Sequence, residues 1–278
     1  MSHGNNAHRL RPSKHGFTVL TLNLRFGLAE DGVNSWIHRK KAFPTLFRQH
    51  RPDFIGVQEA NDFQIDFLKN ILSEYDFIGQ RSPAPAFWQN NIIFYKKTWK
   101  PVRDEHFFLS PTPRIPSRFR ESRWPRQCTL GMFQQRRRQL ICITTHFDFD
   151  PAVQVKSAGI IMGCLSHLPA DVPAVLMGDF NASPAQECHL VFTGQNKQYP
   201  VRGPSFKNTC PQPFPGTHHG FTGSTRGDHI DWILYRGGII PDDFLVIRDT
   251  FAGIYPSDHF PLWARFKWND ATASTQRL

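Results

Sequence analysis

A short apolar segment followed by two oxygen-bearing side chains is the clearest chemical feature of this sequence. Residues 174–177 are apolar, the segment ends at Gly178, and Asp179 and Asn181 follow two positions apart. A buried strand that runs into Gly-Asp-x-Asn places both polar side chains at the rim of a sheet. Hard divalent cations and attacking water molecules are bound by such oxygen groups. The alternative is a strand followed by an Asx-rich turn, since Gly, Asp and Asn favour turns for backbone reasons.

The same arrangement recurs at other predicted strand ends. Polar side chains that can bind a metal or transfer a proton occur near the ends of six β-rich segments. Because catalytic groups are commonly held where the strands of a rigid scaffold end at one cleft, we expect these side chains to converge. They are Asn23, Glu59, His146, Asp179 with Asn181, Asp231, and Asp258 with His259.

The elements that must position these residues can be predicted from the apolar pattern. β-rich segments predict strands at 17–24, 53–57, 76–79, 92–95, 140–145, 174–177, 227–235, 244–248 and 260–267. Helical spacing predicts helices over 37–50, 61–73 and 153–168. We expect a Pro-rich loop at 101–116 and a long polar excursion at 188–225. Strand–helix alternation in both halves indicates two sheets packed face to face with helices outside.

Composition is typical of one large domain with anionic partners. The chain has 278 residues, of which 40% are hydrophobic, and 25 Phe with 7 Trp supply a large core. The 33 Lys and Arg residues exceed the 23 acidic residues and give a net charge of +10. This charge favours nucleic acid, phosphorylated metabolites or an anionic membrane as partners, and it says nothing about the fold.

Cysteine usage and hydropathy indicate a reducing compartment, and we expect a cytoplasmic monomer. The five cysteines are scattered and form no C-x-x-C pair, which argues against a disulfide framework and against a thiolate metal site. No apolar run approaches the ~20 residues of a membrane span. We expect a flexible basic tail at 1–16 without a secretory signal, a single domain at 17–268, and a second flexible tail at 269–278.

Six short motifs occur in a specific order between residues 17 and 268: TLNLR, VQEA, TTHFD, GDFN, HIDWIL and SDHFP. In this order they resemble the endonuclease/exonuclease/phosphatase superfamily, which includes deoxyribonuclease I. Segments 31–36 and 221–223 look like those of compact bacterial metal-dependent hydrolases within it. Two departures bear on substrate choice. The relatives often carry an acid where this chain has 88–91, and a His where it has Phe149.

The resemblance implies a four-layered α/β/β/α sandwich of the deoxyribonuclease I type. It also implies a divalent cation, usually Mg²⁺ and in some members Mn²⁺. Glu59 would be the main metal carboxylate, with Asn23 and Asp258 close to the ion or to its waters.

Roles in catalysis are implied in the same way. Asp179 would orient or deprotonate the attacking water, and Asn181 would bind that water or a phosphate oxygen. His259, held by Asp231, would act at the phosphoryl group as acid or base, and His146 would donate to the phosphate. Such groups suit phosphoryl transfer, whose transition state gathers negative charge on the phosphoryl oxygens. The alternative for Asp231 and His259 is a buried structural ion pair.

Arginine is concentrated between residues 114 and 138, where eight arginines are interleaved with Phe119 and Trp124. One interpretation is a substrate-facing surface. The other is a solvated loop followed by a hairpin turn at 136–138. Arg126 matches an arginine near the cleft in the bacterial relatives, and we expect it to bind substrate.

The sequence therefore predicts a metal-dependent phosphoesterase, and a phosphodiesterase in particular, with nuclease activity among the options. The first alternative is a phosphomonoesterase acting on a sugar, inositol or nucleotide phosphate. The second is a catalytically silent anion-binding module, because one fold can host unrelated functions. The intact set of Glu59, Asp179 and His259 argues against the silent module.

Overall fold

A computed structural model describes residues 16–198 and 204–269 of the chain. The tails expected at 1–16 and 269–278 lie outside these residues, apart from Gly16 and Asn269. The strands are β1 (Gly16–Asn23), β2 (Phe54–Ala60), β3 (Tyr75–Ile78), β4 (Asn90–Lys96), β5 (Lys100–Phe108), β6 (Gln127–Gln135), β7 (Arg138–His146), β8 (Ala174–Asp179), β9 (Lys207–Asn208), β10 (Asp231–Arg236), β11 (Ile239–Val246) and β12 (Leu262–Trp268). The helices are α1 (Trp36–Arg39), α2 (Phe43–His50), α3 (Asp62–Ile71), α4 (Pro151–Leu165) and α5 (Glu187–Phe192).

The described strands form two six-stranded sheets. One has the order β11-β12-β1-β2-β4-β3 and the other β5-β6-β7-β8-β10-β9. In each sheet the two central strands are parallel, β1 with β2 and β7 with β8, and the other pairs are antiparallel. The sheets therefore repeat one topology, although the sequence contains no short repeat. The carboxyl ends of the four central strands meet at one end of the molecule.

Alternating apolar side chains along the central strands build the layers. In β1, Val19 packs into the core between the two sheets, and its neighbour Leu20 packs beneath the helices α2 and α3. In β8, Val175 faces the other sheet, and Leu176 packs in the core that includes residues of α4 and α5. Strands buried on both faces read as continuous apolar runs, because no face is left for polar residues. The four-layered α/β/β/α sandwich is confirmed.

Two predicted elements are corrected. The loop expected at 101–116 is wrong in its first half, because Lys100–Phe108 is strand β5 at a sheet edge. Its pairing shifts register next to Pro101, as proline is tolerated at an edge or a bulge. The excursion expected at 188–225 contains helix α5 and the short strand β9. Among the described residues, no helix is both long and apolar enough to cross a membrane.

Candidate active site

The predicted residues from the strand ends converge on one cleft, and the amide of Asn23 joins its two halves. Asn23 Nδ2 donates to Glu59 Oε1 at 3.0 Å and to Asp179 Oδ2 at 2.9 Å. Glu59 belongs to the same sheet as Asn23, and Asp179 belongs to the other. The amide oxygen of Asn23 accepts from the backbone N–H of Arg25 at 2.8 Å, which leaves its nitrogen to the two carboxylates.

A backbone irregularity at the end of β2 turns Glu59 towards this cleft. The register of β2 shifts between Val57 and Ala60, and Glu59 has a φ of 59°. A non-glycine residue in this left-handed region costs about 1–2 kcal/mol, so other contacts must hold it there. The backbone N–H of Phe26 donates to Glu59 Oε2 at 2.6 Å. The preceding Gln58 points between the sheets.

Glycine at position 178 is required by a close approach of two strands. Gly178 has a φ of 147°, and a Cβ atom there would lie 2.0 Å from the carbonyl oxygen of Thr145. The chain can therefore place Asp179 directly opposite Asp231 in the β8–β10 ladder only with glycine before it. The next turn holds Asp179 in place, because the backbone N–H of Asn181 donates to Asp179 Oδ1 at 2.9 Å.

Burial and a like charge make Asp179 a weaker acid than usual. The side chain is buried, and desolvation followed by the charge of Asp231 raises the pKa of Asp179 to about 6. Its Oδ2 atom lies 3.4 Å from His146 Nε2 and 3.9 Å from His259 Nε2. At neutral pH this carboxylate is ionised and can accept a proton from a nearby donor.

His259 is the charged histidine of the cleft. Its Nδ1 atom donates to Asp231 Oδ2 at 2.9 Å. Burial opposes its protonation, but the carboxylates of Asp231, Asp179 and Asp258 outweigh burial and raise the pKa of His259 to about 10. With Nδ1–H held by Asp231, the other N–H of the imidazolium faces Asp179 and the cleft.

His146 is in the opposite state, because its neighbour is a cation. Arg126 Nη1 lies 3.0 Å from His146 Nδ1. Since a guanidinium only donates, Nδ1 must accept, and the imidazole proton is on Nε2. Burial, then the charges of Arg126 and His259, hold the pKa of His146 well below its ordinary value. Asn181 completes this side of the cleft, because its Nδ2 lies 3.1 Å from His146 Nε2 and donates to the carbonyl oxygen of Phe147 at 3.0 Å.

Asp258 lies at the other side of the cleft and is surrounded by basic side chains. Its Oδ2 atom is 3.7 Å from Arg25 Nε and 3.8 Å from His218 Nε2. Burial opposes its ionisation, but His218, His259 and Arg25 together hold the pKa of Asp258 well below its usual range. Asp258 is therefore an ionised carboxylate.

The donor chemistry of the cleft fits a hard divalent cation. Glu59, Asp179, Asp231 and Asp258 supply carboxylate oxygens, which such ions prefer. Two groups in the described chain have ligand atoms within 4.8 Å of one another. They are His218, Asp258 and His259, and Asp179, Asp231 and His259, and because His259 is protonated the carboxylates are the available ligands of both groups. Asp231 Oδ1 is buried without a hydrogen-bond partner, so the cleft retains acceptor capacity.

Two arginines at this site were not among the predicted residues. Arg25 forms a two-pronged ion pair with Asp31, at 2.9 and 3.0 Å, and brings the loop after β1 close to Asp258. Arg39 is buried and donates to three backbone carbonyls, at distances of 2.6 to 2.9 Å. These carbonyls belong to Leu24, Asn34 and Pro256, so Arg39 ties together three loops around the cleft. Two sequence segments contained partners of these arginines. Leu24, in the motif TLNLR, accepts from Arg39, and segment 31–36 contains Asp31, the partner of Arg25, and Asn34, which also accepts from Arg39.

The arginine-rich segment is not one surface. Arg126 is buried in the cleft, whereas 136–138 lie at the β6–β7 turn, at the opposite end of β7 from His146. Arg118 donates to the carbonyl oxygens of Phe119, Arg120 and Ser122, and so stabilises its own loop. The prediction of a single substrate-facing surface is therefore wrong for 136–138. For Arg120 and Arg123 it stays a prediction.

A family model described as the endonuclease/exonuclease/phosphatase family matches residues 20–259. The chain belongs to this family. Its members are phosphoester hydrolases that typically depend on a divalent metal. A comparison with curated proteins found no significant sequence match.

Solved structures of bacterial and animal proteins have the same fold. The mannosyl-6-phosphatase of Bacteroides thetaiotaomicron is 25% identical with a TM-score of 0.81, over 91% of this chain and 100% of that one. A family member from Bacteroides vulgatus is 23% identical with a TM-score of 0.82, over 92% and 100%. TDP2 from D. rerio, complexed with a single-strand DNA product, is 16% identical with a TM-score of 0.70, over 91% and 99%.

Replacement of Gly178 by alanine should damage the protein at the cleft. The added Cβ would meet the carbonyl of Thr145, so we expect Gly178→Ala to lower the free energy of unfolding by at least about 1–3 kcal/mol. The matched control is Gly163→Ala in helix α4, where a Cβ would meet nothing within 4 Å. It should be neutral or stabilising by up to about 1 kcal/mol. Denaturant unfolding of both variants checks this, and equal effects would contradict it.

The His259–Asp231 pair should stabilise the metal-free protein in a pH-dependent way. Because folding raises the pKa of His259 from 6.5 to about 10, its contribution is complete below about pH 6.5 and is lost as the pH rises through about 10. We therefore expect the stability difference between the parent and the His259→Gln/Asp231→Asn double variant to fall between pH 7 and 10. Urea unfolding in EDTA measures it. A difference that stays constant over this range would contradict the assignment.

Proposed function

We propose that the protein is a divalent-metal-dependent phosphodiesterase that uses a water molecule activated by Asp179. The observation that carries this proposal is the placement of Asp179 Oδ2 within 3.9 Å of both a charged and a neutral histidine. A base and two different N–H donors at one point match the needs of attack by water on an anionic phosphate.

Glu59 would hold the metal ion directly, with Asn23 and Asp258 beside it. The ion would be Mg²⁺, with Mn²⁺ as the second candidate, since the available donors are hard oxygen atoms. When bound, it supplies positive charge that stabilises a phosphoryl oxygen and lowers the pKa of water. Asn23 keeps Glu59 and Asp179 in fixed positions by donating to both.

The side chains of the cleft have separate tasks in the reaction. Asp179 takes a proton from the water whose oxygen attacks phosphorus, and Asn181 orients that water or a phosphoryl oxygen. The bond between phosphorus and the leaving oxygen then breaks, and the leaving group departs with the electron pair and takes a proton from the imidazolium of His259. His259 and His146 donate N–H groups to the phosphoryl oxygens, which gain negative charge. Arg126 fixes the tautomer of His146 and adds positive charge beside the substrate.

Exposed aromatic side chains at this end of the molecule favour a diester with a ring system. Phe87 is 63% exposed, Trp124 53% and Phe149 59%, and each belongs to a loop that follows or precedes a strand at the cleft. Phe149 stands where the bacterial relatives carry His, and the guanidinium of Arg126 lies 5.7 Å from its ring. Aromatic rings beside cations can stack on a base or a sugar next to a phosphate.

A phosphomonoesterase is the second candidate. It is favoured by the similarity to the mannosyl-6-phosphatase, whose whole chain is covered. A silent binding module is disfavoured by the complete set of Glu59, Asp179 and His259 in one cleft. We further propose a cytoplasmic location, which the five free cysteines support.

Loss of the base, a histidine or the metal carboxylate should abolish most of the activity. We expect Asp179→Asn and His259→Gln to lower kcat on bis-p-nitrophenyl phosphate by at least ~100-fold. Glu59→Gln should shift the Mg²⁺ and Mn²⁺ activation curves to higher concentration. Glu74→Gln is the matched control, because Glu74 is an exposed carboxylate paired only with Arg51 among the described residues. Full activity after exhaustive EDTA treatment, or near-parental kcat in Asp179→Asn, would refute the mechanism.

Substrate preference should depend on the exposed aromatic residues. On a dinucleotide diester, Phe149→Ala and Trp124→Ala should each raise KM about tenfold, because one stacking contact is worth about 1–3 kcal/mol. Neither variant should change KM for a diester that carries no ring, such as glycerophosphocholine, by more than about twofold. Val102→Ala, at an exposed apolar residue of the edge strand β5, is the control. If the parent hydrolyses sugar phosphates faster than every diester, the monoesterase candidate replaces the diesterase.

A further inference from the structure

A second cavity lies at the end of the sandwich opposite the active site. It has a volume of about 1120 Å³, and the β6–β7 turn, the start of β8, the β10–β11 turn and the end of β12 surround it. Strand β10 runs from Asp231 in the active site to Arg236 in this cavity. Its length separates the two sites by about 17 Å. Nothing in the proposed reaction uses the cavity.

The charged side chains that line this cavity are mostly basic. Four are cationic, Arg137, Arg138, Lys207 and Arg236, and one is anionic, Asp171. They come from segments far apart in the sequence, so the fold rather than a local charge run concentrates them. A concave surface lined by one sign of charge attracts ions of the other sign.

Arg236 is the decisive residue, because it is buried without a carboxylate. Only 3% of it is exposed, and within the described part of the chain it has no acidic partner. Its Nη1 atom donates to the carbonyl oxygen of Pro204 at a long 3.4 Å, and its guanidinium lies 5.2 Å from the centre of the Phe206 ring. Its Nε–H is buried with no hydrogen-bond acceptor among the described residues. A buried cation without a counterion is unfavourable, so its presence on a cavity wall indicates a site for an anion.

The remaining walls offer aromatic surface beside these cations. Tyr235 and Trp268 both line the cavity. The guanidinium of Arg138 lies 5.1 Å from the centre of the Trp268 ring. The volume is slightly above the range of about 300–1,000 Å³ found for small-molecule sites. A ligand with both an anionic group and a ring therefore fits better than a simple ion.

We propose that this cavity binds a small phosphorylated molecule, with its phosphate at Arg236 and with Lys207 and Arg137 at the rim. A nucleic-acid strand is disfavoured, because the decisive guanidinium is buried inside the cavity rather than exposed along an open groove. The binding site is separate from the catalytic cleft and does not depend on the proposed function.

Phosphate binding followed by nuclear magnetic resonance tests the proposal. Inorganic phosphate and adenosine monophosphate are titrated into the full-length protein in EDTA while the arginine Nε–H signals are recorded. The Arg236 signal, assigned by its loss in Arg236→Met, should shift on titration. Arg236→Met should weaken binding to the cavity at least ~10-fold, as expected for loss of a charged hydrogen bond. Lys207→Ala should weaken it about threefold, and the control Arg103→Ala, on the edge strand β5, should not change it.

Two further measurements separate a binding role from a structural one. Without phosphate, Arg236→Met should unfold at the same temperature as the parent or higher, because the variant no longer buries an unpaired charge. Hydrolysis of bis-p-nitrophenyl phosphate should be unchanged in Arg236→Met and in Lys207→Ala. If Arg236→Met does not fold, the double variant Lys207→Ala/Arg137→Ala decides, and it should weaken binding at least ~10-fold.

The proposal is overturned by any of three results. The first is an Arg236 signal that neither ligand shifts. The second is a folded Arg236→Met variant with a lower unfolding temperature in the absence of phosphate and with unchanged phosphate binding, which would make Arg236 a structural residue. The third is Arg236-dependent binding of a single-stranded oligonucleotide without binding of either small ligand, which would assign the cavity to nucleic acid.

Discussion

The candidate active site depends on one amide that bridges two carboxylates from different sheets. The core between the sheets is otherwise largely apolar, and apolar contacts do not fix the position of one strand end against another. Asn23 does so by donating to Glu59 and Asp179 at once. Both acceptors are anionic, so the amide also reduces their mutual repulsion in the absence of a cation. The order of the four central strands places these three residues together, since every carboxyl end in the two parallel pairs points to this cleft.

The cleft keeps one histidine neutral and the other cationic through the different partners of the two rings. Both His146 and His259 are buried, and burial disfavours the charged form of each. Arg126 is next to His146 and adds to this effect, whereas Asp231 accepts from His259 and reverses it. The same residue type therefore provides a neutral donor and a cationic donor on two sides of Asp179. Such a pair of environments is how proteins separate the roles of identical titratable groups.

The sequence predicted which side chains meet in the cleft better than it predicted their geometry. Glu59 and Asp179 could be recognised in the sequence because a polar side chain directly after an apolar run is unusual. Their placement depends on backbone conformations that the sequence does not reveal, a φ of 59° at Glu59 and the close approach of Gly178 to the neighbouring strand. Arg39 was not predicted because one of its acceptors, the carbonyl oxygen of Pro256, is 217 residues away in the sequence. Strand β5 was missed because edge strands carry charged residues and proline, which resemble a loop.

Two arginines compensate the free-energy cost of burying a guanidinium in different ways. Arg39 has its pKa lowered to about 10 by burial, but Asp258 and Asp31 partly restore it, and three carbonyls accept from its side chain. Its one unpartnered nitrogen, Nη2, belongs to a guanidinium whose charge the surrounding residues already stabilise. Arg236 has one distant carbonyl, and burial alone lowers its pKa. The protein supplies the counter-charge for Arg39 from its own loops, so that arginine holds the cleft together. For Arg236 the described chain supplies that carbonyl and the ring of Phe206 but no carboxylate, and the cavity beside it is where an anion can enter.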